Sequence, residues 1–293
     1  MATLRELKGR IGSVASSEKI TGAMKMISSA KMHKAEQALK RLLPFRNQIE
    51  LIISNLLSAD TEFNSPLIES RPVEHVSIVV FGSDDGLCGA YNVNIFKILL
   101  QRLNQYRSEY GNSIKVRIFP IGAKMAKAVS KITGNGIEME LLEGVDSKTT
   151  GDGVKVFVEY LQQKFLSGET DKVDILYMNF KSVSRQRPVC EQLIPIVQET
   201  FTDNDVKEQC RPYIFEPDAN TIFRSVLPMF LLAVGQDVFT ENRASEQAAR
   251  VMAMQAANDN AKKLLEQLRL EYNKLRQQSI TTELLDILGG QIR

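Results

Sequence analysis

Apolar positions fall into three patterns along the 293-residue chain. From about Thr3 to Leu57, Leu4, Leu7, Ile11 and Val14 recur at helical spacing. Farther on, Ile20, Ala23, Met24, Met26, Ile27, Ala30 and Met32 surround the helix and mark no single edge. Ser16, Ser17, Thr21, Ser28 and Ser29 sit between them. A helix of about fifty residues would reach roughly 75 Å at 1.5 Å per residue, beyond the span of an ordinary domain. Pro44 is expected to kink this helix without ending it, because Ile49, Ile52, Ile53 and Leu56 resume the helical pattern.

The last section, from about Asn220 to Leu288, carries a second long helix. Val251, Met254, Asn258, Ala261, Leu265, Leu268, Tyr272 and Leu275 keep alternating steps of three and four. That is a coiled-coil seam with one polar position, Asn258. Gly289-Gly290 is expected to end it. Two long helices at opposite ends of one chain need a partner, and the economical one is each other, antiparallel. Small residues on both helices allow close approach.

Between them, strand and helix signals alternate. Val76–Phe81, Val116–Ile121 and Val173–Phe180 read as strands, while Val93–Leu103, Ala123–Ile132 and Gly151–Leu166 read as helices. Leu193–Val197 and Tyr213–Phe215 are candidates for further strands. Such alternation predicts an α/β layer with a largely parallel sheet. The expected organisation is a coiled-coil helix over 1–58, a central Rossmann-like α/β domain over 74–215, and a coiled-coil helix over 219–289.

Charge sharpens this picture. The formal net charge is +2 and the overall composition that of a packed globular protein, with 43% apolar and 25% charged residues. Residues 1–50 alone carry ten Lys/Arg against four Asp/Glu. The N-terminal helix is thus the basic element, suited to phosphate, acidic lipid or an acidic protein surface. It lacks the aromatic interleaving expected of a nucleic-acid binder. The opening MATLRELKGRIGS has no apolar core of a secretory signal. Ser225–Gln236, the longest uncharged apolar run, is broken by Pro228 and falls short of the ~20 residues a spanning helix needs. Membrane association is expected only through a partner.

No catalytic constellation assembles from these residues. There is no GxxxxGK[ST] phosphate loop. Gly82-Ser-Asp-Asp-Gly-Leu-Cys-Gly follows a strand and precedes a helix, but its spacing is not GxGxxG, and Asp84-Asp85 would repel a pyrophosphate. His33 and His75 have no metal-ligand spacing to other donors. Cys88, Cys190 and Cys210 form no CxxC pair and read as small buried hydrophobes. Met24, Met26 and Met32 suit either a coiled-coil core or a surface that repacks against changing partners.

Four segments carry a family resemblance. Lys19-Ile-Thr-Gly-Ala-Met-Lys-Met-Ile-Ser-Ser-Ala-Lys-Met is similar to the KITxAMxMVAxxKM signature of ATP synthase gamma subunits. Ala244-Ser-Glu-Gln-Ala-Ala-Arg-Val-Met-Ala-Met-Gln-Ala-Ala-Asn-Asp-Asn resembles that family's ASEQAARxxAMxxAxxN. Tyr272-Asn-Lys-Leu-Arg-Gln-Gln-Ser-Ile-Thr-Thr-Glu-Leu resembles YNxxRQxxITxEL, and Ser83-Asp-Asp-Gly-Leu-Cys-Gly-Ala-Tyr-Asn resembles SDRGLCGxxN. They fall in family order and cover the chain from end to end.

The resemblance implies a non-catalytic rotor. Its paired terminal helices would turn inside a ring of alpha and beta subunits, its α/β domain meeting the epsilon subunit and the membrane c-ring. No cofactor is implied. The location implied is peripheral, on the cytoplasmic face of a bacterial inner membrane. Lys19, Met24, Lys25, Arg250, Gln277, Thr281 and Glu283 fall on or beside family positions of partner contact. Gly22 departs from the usual lysine, and Asp85 from the usual arginine, so no role passes to Asp85. The plastid regulatory cysteine pair is absent. A soluble α/β enzyme with helical extensions is the competing reading.

Overall fold

The structure is a computed structural model of the chain, describing residues 3–58, 63–111, 113–197, 201 and 215–290. Helix α1 spans Leu4–Leu57. Thr3 caps it: its hydroxyl accepts from the Glu6 amide while the Glu6 carboxylate accepts from the Thr3 amide. The helix runs unbroken through Pro44, which lies on the exposed side where water can satisfy the freed carbonyl. A short 3-10 turn, Pro66–Ile68, leads into the sheet.

The head then follows as β1 His75–Phe81, α2 Tyr91–Tyr110, β2 Lys115–Ile121, α3 Ala123–Val129, β3 Ile137–Met139, α4 Asp152–Leu166, β4 Lys172–Ser182 and β5 Arg185–Ile194. Strand order is β3-β2-β1-β4-β5. The β1–β2, β1–β4 and β2–β3 pairs are parallel, and β4–β5 is an antiparallel hairpin. The C-terminal helix α5 covers Ala219–Gly290, 72 residues, and passes through Pro228.

Burial on both faces explains the apolar runs of β1 and β4. On one face Ile78, Val80 and Ile118 meet Ile95, Leu99 and Leu103 of α2 and Met125 of α3. On the other, Val79, Phe119 and Ile175 join Phe157 and Leu161 of α4 with Ile53 of α1 and Phe223, Leu227 and Leu231 of α5. The base of the helical pair is therefore part of the head's own core. Within Ala219–Leu285, α5 has a window of mean hydropathy 1.5, but 56% of it is buried inside the protein.

Several expectations are corrected. Strand β5 begins at Arg185, and only Leu193 and Ile194 of the expected Leu193–Val197 lie in it. Its Arg, Gln, Pro and Glu residues hide it from an apolar-run search. They are tolerated because β5 is an edge, where Pro188 needs no ladder partner for its missing N–H. Phe215 is not in a strand, while Tyr213 and Ile214 lie outside the described residues. Helix α3 stops at Val129, short of Ile132. Gly289 and Gly290 do not stop α5, which continues through both. Glycine in a helix interior costs only ~1 kcal/mol relative to alanine, so two in succession weaken a helix end without forbidding it.

Helices α1 and α5 pack along most of α1. The α1 seam is Leu7, Ile11, Val14, Glu18, Thr21, Lys25, Ser28, Met32, Ala35 and Leu39, each buried or half-buried, at alternating steps of four and three. Between Val14 and Met32 this seam is polar. Three large apolar residues of the same stretch point outward, with Met26 68%, Ile20 59% and Ile27 56% exposed. On α5 the expected seam holds: Val251, Met254, Asn258, Leu265 and Leu268 are all buried.

Candidate partner-contact site

The expected contact residues separate into two places. The first is the waist, where the helical pair meets the turn between β1 and α2. The turn is built from Ser83, whose amide donates to Asn92 Oδ1 at 3.0 Å and whose hydroxyl donates to the Asp85 carbonyl at 2.8 Å. Asp84 accepts from the Ala123 amide at 3.0 Å and from the Ser147 hydroxyl at 2.7 Å, linking three loops. Asp84 thus ties the turn to the start of α3 and to the loop before α4. Asp85 itself reaches Lys148 at 3.8 Å across solvent.

Arg250 locks this turn. Its Nη2 donates to Glu246 Oε1 at 2.7 Å, its Nε to the Gly86 carbonyl at 3.3 Å, and its Nη2 also to the Asp85 carbonyl at 3.4 Å. Arg250 is buried, at 6% exposure. Its described hydrogen bonds all stay within the chain, while Arg250 also lines the groove beside this turn. Next to the lock, Leu87 is held at φ 65°, a conformation costing of order 1–3 kcal/mol for a residue with a Cβ. Leu87 is 57% exposed. The strained turn therefore displays an apolar side chain.

Leu87 overhangs a groove of about 830 Å³ between α1, the turn, the loop before α4, and α5. Met24, Lys31, Lys34, Lys148 and Arg243 line it. Arg243 donates from Nη2 to the Thr149 carbonyl at 3.0 Å, while its Nε is buried without a partner. Burial lowers its pKa from the ordinary guanidinium value, and no carboxylate pairs with it among the described ion pairs. Burial raises the Glu246 carboxyl, against the pull of Arg250. Met24 and Lys25 are half-buried and Lys19 exposed.

Sequence reasoning missed three ties that place the waist. The Tyr91 hydroxyl donates to Asn242 Oδ1, and the Ser245 hydroxyl donates to the Met178 carbonyl at 2.8 Å, both buried. Asn179 Nδ2 donates to both carboxylate oxygens of Glu241, at 3.1 and 3.0 Å. The signal available was the run Glu241-Asn-Arg-Ala-Ser-Glu directly after the apolar stretch of α5 around Leu227–Val234.

The second place is the free end of α5. Glu18 of α1 lies against Asn258 of α5, and the antiparallel course brings α1 to its start near Tyr272. Gln277, Thr281 and Glu283 lie beyond, all exposed. So are Ile280, Leu284, Leu285, Ile287 and Leu288. Arg250 and Gln277 are 27 residues apart on one helix, or roughly 40 Å. Among the described residues no group of three His, Cys, Asp or Glu side chains could hold a metal ion.

An α/β head whose core continues into a shaft made of the chain's own two ends defines the class: a shaft-bearing α/β protein with contact surfaces at the waist and tip. The family described as ATP synthase matches residues 3–291. The ATP synthase gamma chain of Phocaeicola vulgatus is 41% identical over 292 residues, covering 100% of both chains. That of Bacteroides thetaiotaomicron is 40% identical over 306 residues, again covering 100% of both. Among solved structures, the rotor of the Euglena gracilis mitochondrial ATP synthase superposes with a TM-score of 0.60 at 18% identity, covering 94% of this chain and 98% of that one. The central stalk and c-ring of the Tetrahymena thermophila enzyme includes a chain matching at TM-score 0.59 and 19% identity, covering 81% and 99%. The chain belongs to the ATP synthase gamma chain family.

Proposed function

We propose that this chain is the central rotor of an F-type ATP synthase. It carries torque between an ion-driven membrane ring and catalytic subunits that surround its shaft, and makes no ATP itself. The observation that carries this reading is the free end of α5. A helix end with five large apolar side chains exposed and no partner among the described residues calls for an enclosing surface. A rotor tip inside a ring of subunits supplies one.

At the waist, the groove pairs apolar Met24, Ile27 and Leu87 with the cations Lys31, Lys34 and Arg243. That lining suits an acidic, partly apolar segment of a surrounding subunit. Exposed pairs of this kind are worth about 0–1 kcal/mol each, weak enough to break at every step of a rotation. Lys19, Met24 and Lys25 are proposed contacts here, and Gln277, Thr281 and Glu283 at the tip. The alpha and beta subunits are the proposed ring, and the head the proposed seat for the epsilon subunit and c-ring. The complex would sit on the cytoplasmic face of a bacterial inner membrane, this chain held there by its partners alone.

The test compares the full chain with one ending at Lys274, each assembled with the alpha and beta subunits and the membrane ring. The full chain is expected to complete an active ATPase. The shortened chain is expected to melt at the same temperature alone, since the removed end packs on nothing described, yet to lose coupled ion transport. An intact chain that neither joins nor stimulates the ATPase overturns the reading.

A further inference from the structure

The α1 seam has no large apolar side chain between Val14 and Met32, so the usual interlocking of knobs is missing through five turns of the shaft. One specific contact crosses this stretch. Asn258 of α5 is 8% exposed, in a row otherwise made of Val251, Met254, Leu265 and Leu268. Its Nδ2 donates to the Glu18 carbonyl at 2.7 Å and to the Thr21 hydroxyl oxygen at 3.3 Å. The single proton of Thr21 Oγ1 is shared between the Ser17 carbonyl at 2.9 Å and that same Glu18 carbonyl at 3.0 Å. Asn258, Thr21 and these backbone carbonyls form a polar set inside the seam.

Gly22 makes room for it. A Cβ at position 22 would stand 3.3 Å from Asn258 Nδ2, tight enough that the amide would have to move. Gly22, one of three glycines in α1, is thus the seat of the asparagine opposite. A buried amide in a coiled-coil seam lowers stability and fixes register, because an axial slip leaves it without acceptors. Methionines, serines and alanines sliding past one another carry no such penalty. On the outer side of the same stretch stand Ile20, Met26 and Ile27, where a surrounding subunit would push.

We propose that Asn258, seated by Gly22, is a positioning residue that pins α5 to α1 in one register, so that a side load on the outward apolar patch turns both helices as one body. The mechanical half rests on the rotor reading above; the register half stands on geometry alone. A residue that merely held the fold would lose stability and coupling together. A register pin separates them, because leucine in its place fills the seam and removes only the specificity.

The full chain, with native cysteines replaced by serine, is spin-labelled at Ser16 and Lys262, both exposed on opposite helices. The parent is expected to give one narrow distance distribution. Asn258→Leu is expected to broaden or shift it, and Asn258→Gln, which keeps the donor, to draw it back. In the complex with its alpha and beta subunits and membrane ring, Asn258→Leu is expected to melt no lower than the parent while losing more than half of its ion transport per ATP hydrolysed. Asn258→Gln is expected to recover most of that loss. An unchanged distribution in Asn258→Leu overturns the pin. So does a joint fall of melting temperature and coupling that Asn258→Gln fails to rescue. If the parent itself drives no ATP-linked transport, the rotor reading falls, while the spin labels still decide the pin.

Discussion

Glu241 stands where α5 leaves the head, with Asp237 one turn before it on the same helix. Arg46 of α1 reaches Asp237 Oδ2 and, at 2.8 Å, Glu50. Asn179 on β4 supplies both hydrogen bonds to Glu241, and Tyr177 and Glu191 close the cluster from the sheet. Burial first, then the Asp237 charge, pushes the Glu241 carboxyl up to about 7. Because the folded value lies above the ordinary one, the folded chain binds more protons than the unfolded chain between them. Stability is therefore present at low pH and lost as pH rises from about 4.5 through about 7. Glu241→Gln, which mimics the protonated form, is expected to raise the melting temperature above about pH 7 and to leave it unchanged below about pH 4.5. A melting temperature unaffected at every pH would show that Glu241 is not strained by burial. Asp237, four residues before Glu241, was visible in the sequence, but the burial and the Asn179, Arg46 and Glu191 side chains that complete the site come from α1 and two strands. Arg250 and Asn258 were visible as polar interruptions, but only the fold says that both point inward.

At the scale of elements, helix α1 is inside-out through its middle, with threonine, lysine and serine in the seam and isoleucine and methionine outside. Periodicity registered this as apolar residues on every side, because the seam of α1 is set by the partner helix and not by hydrophobicity. Helix α5 was legible to within a residue at its start, its row of Val, Met, Leu and Tyr being a true apolar seam. The core strands β1, β2 and β4 were equally visible as apolar runs. Strand β3 was missed because three residues carry no pattern, and β5 because an edge strand tolerates charge and proline. The α4–α5 crossing depends on one small residue: a Cβ at Gly235 would lie 2.6 Å from Val158 Cγ2 and 3.4 Å from Val154 Cγ1. Gly235→Leu is expected to destabilise the chain by about 1–3 kcal/mol through overpacking, outweighing the ~1 kcal/mol that a better helix former contributes. Denaturant unfolding with an unchanged midpoint would mean that the two helices can part there at no cost.

For the whole molecule, the decisive feature is that shaft and head share one core. Ile49, Ile53 and Leu56 of α1 and Phe223, Leu227 and Leu231 of α5 pack among Phe157, Leu161 and Phe165 of α4 and the strands beneath them. Arg46 adds an ion pair between the two helices at the same level. Force applied to the head thus enters the shaft through a close-packed interior, which transmits strain and does not absorb it. The terminal motifs made this arrangement legible as a family likeness, and helix length alone implied an antiparallel pair. What the sequence could not say was which motif residues serve the chain itself. Arg250 holds the Leu87 turn, whereas Gln277, Thr281 and Glu283 are exposed on a helix end that none of the described residues covers. The central claim is that this body turns as a unit inside a fixed ring. With the alpha and beta subunits anchored to a surface and a bead attached to the exposed edge strand β5 of the head, adding ATP is expected to drive continuous rotation in one direction. A bead that stays still, or that only wobbles about one angle while ATP is hydrolysed, would contradict it.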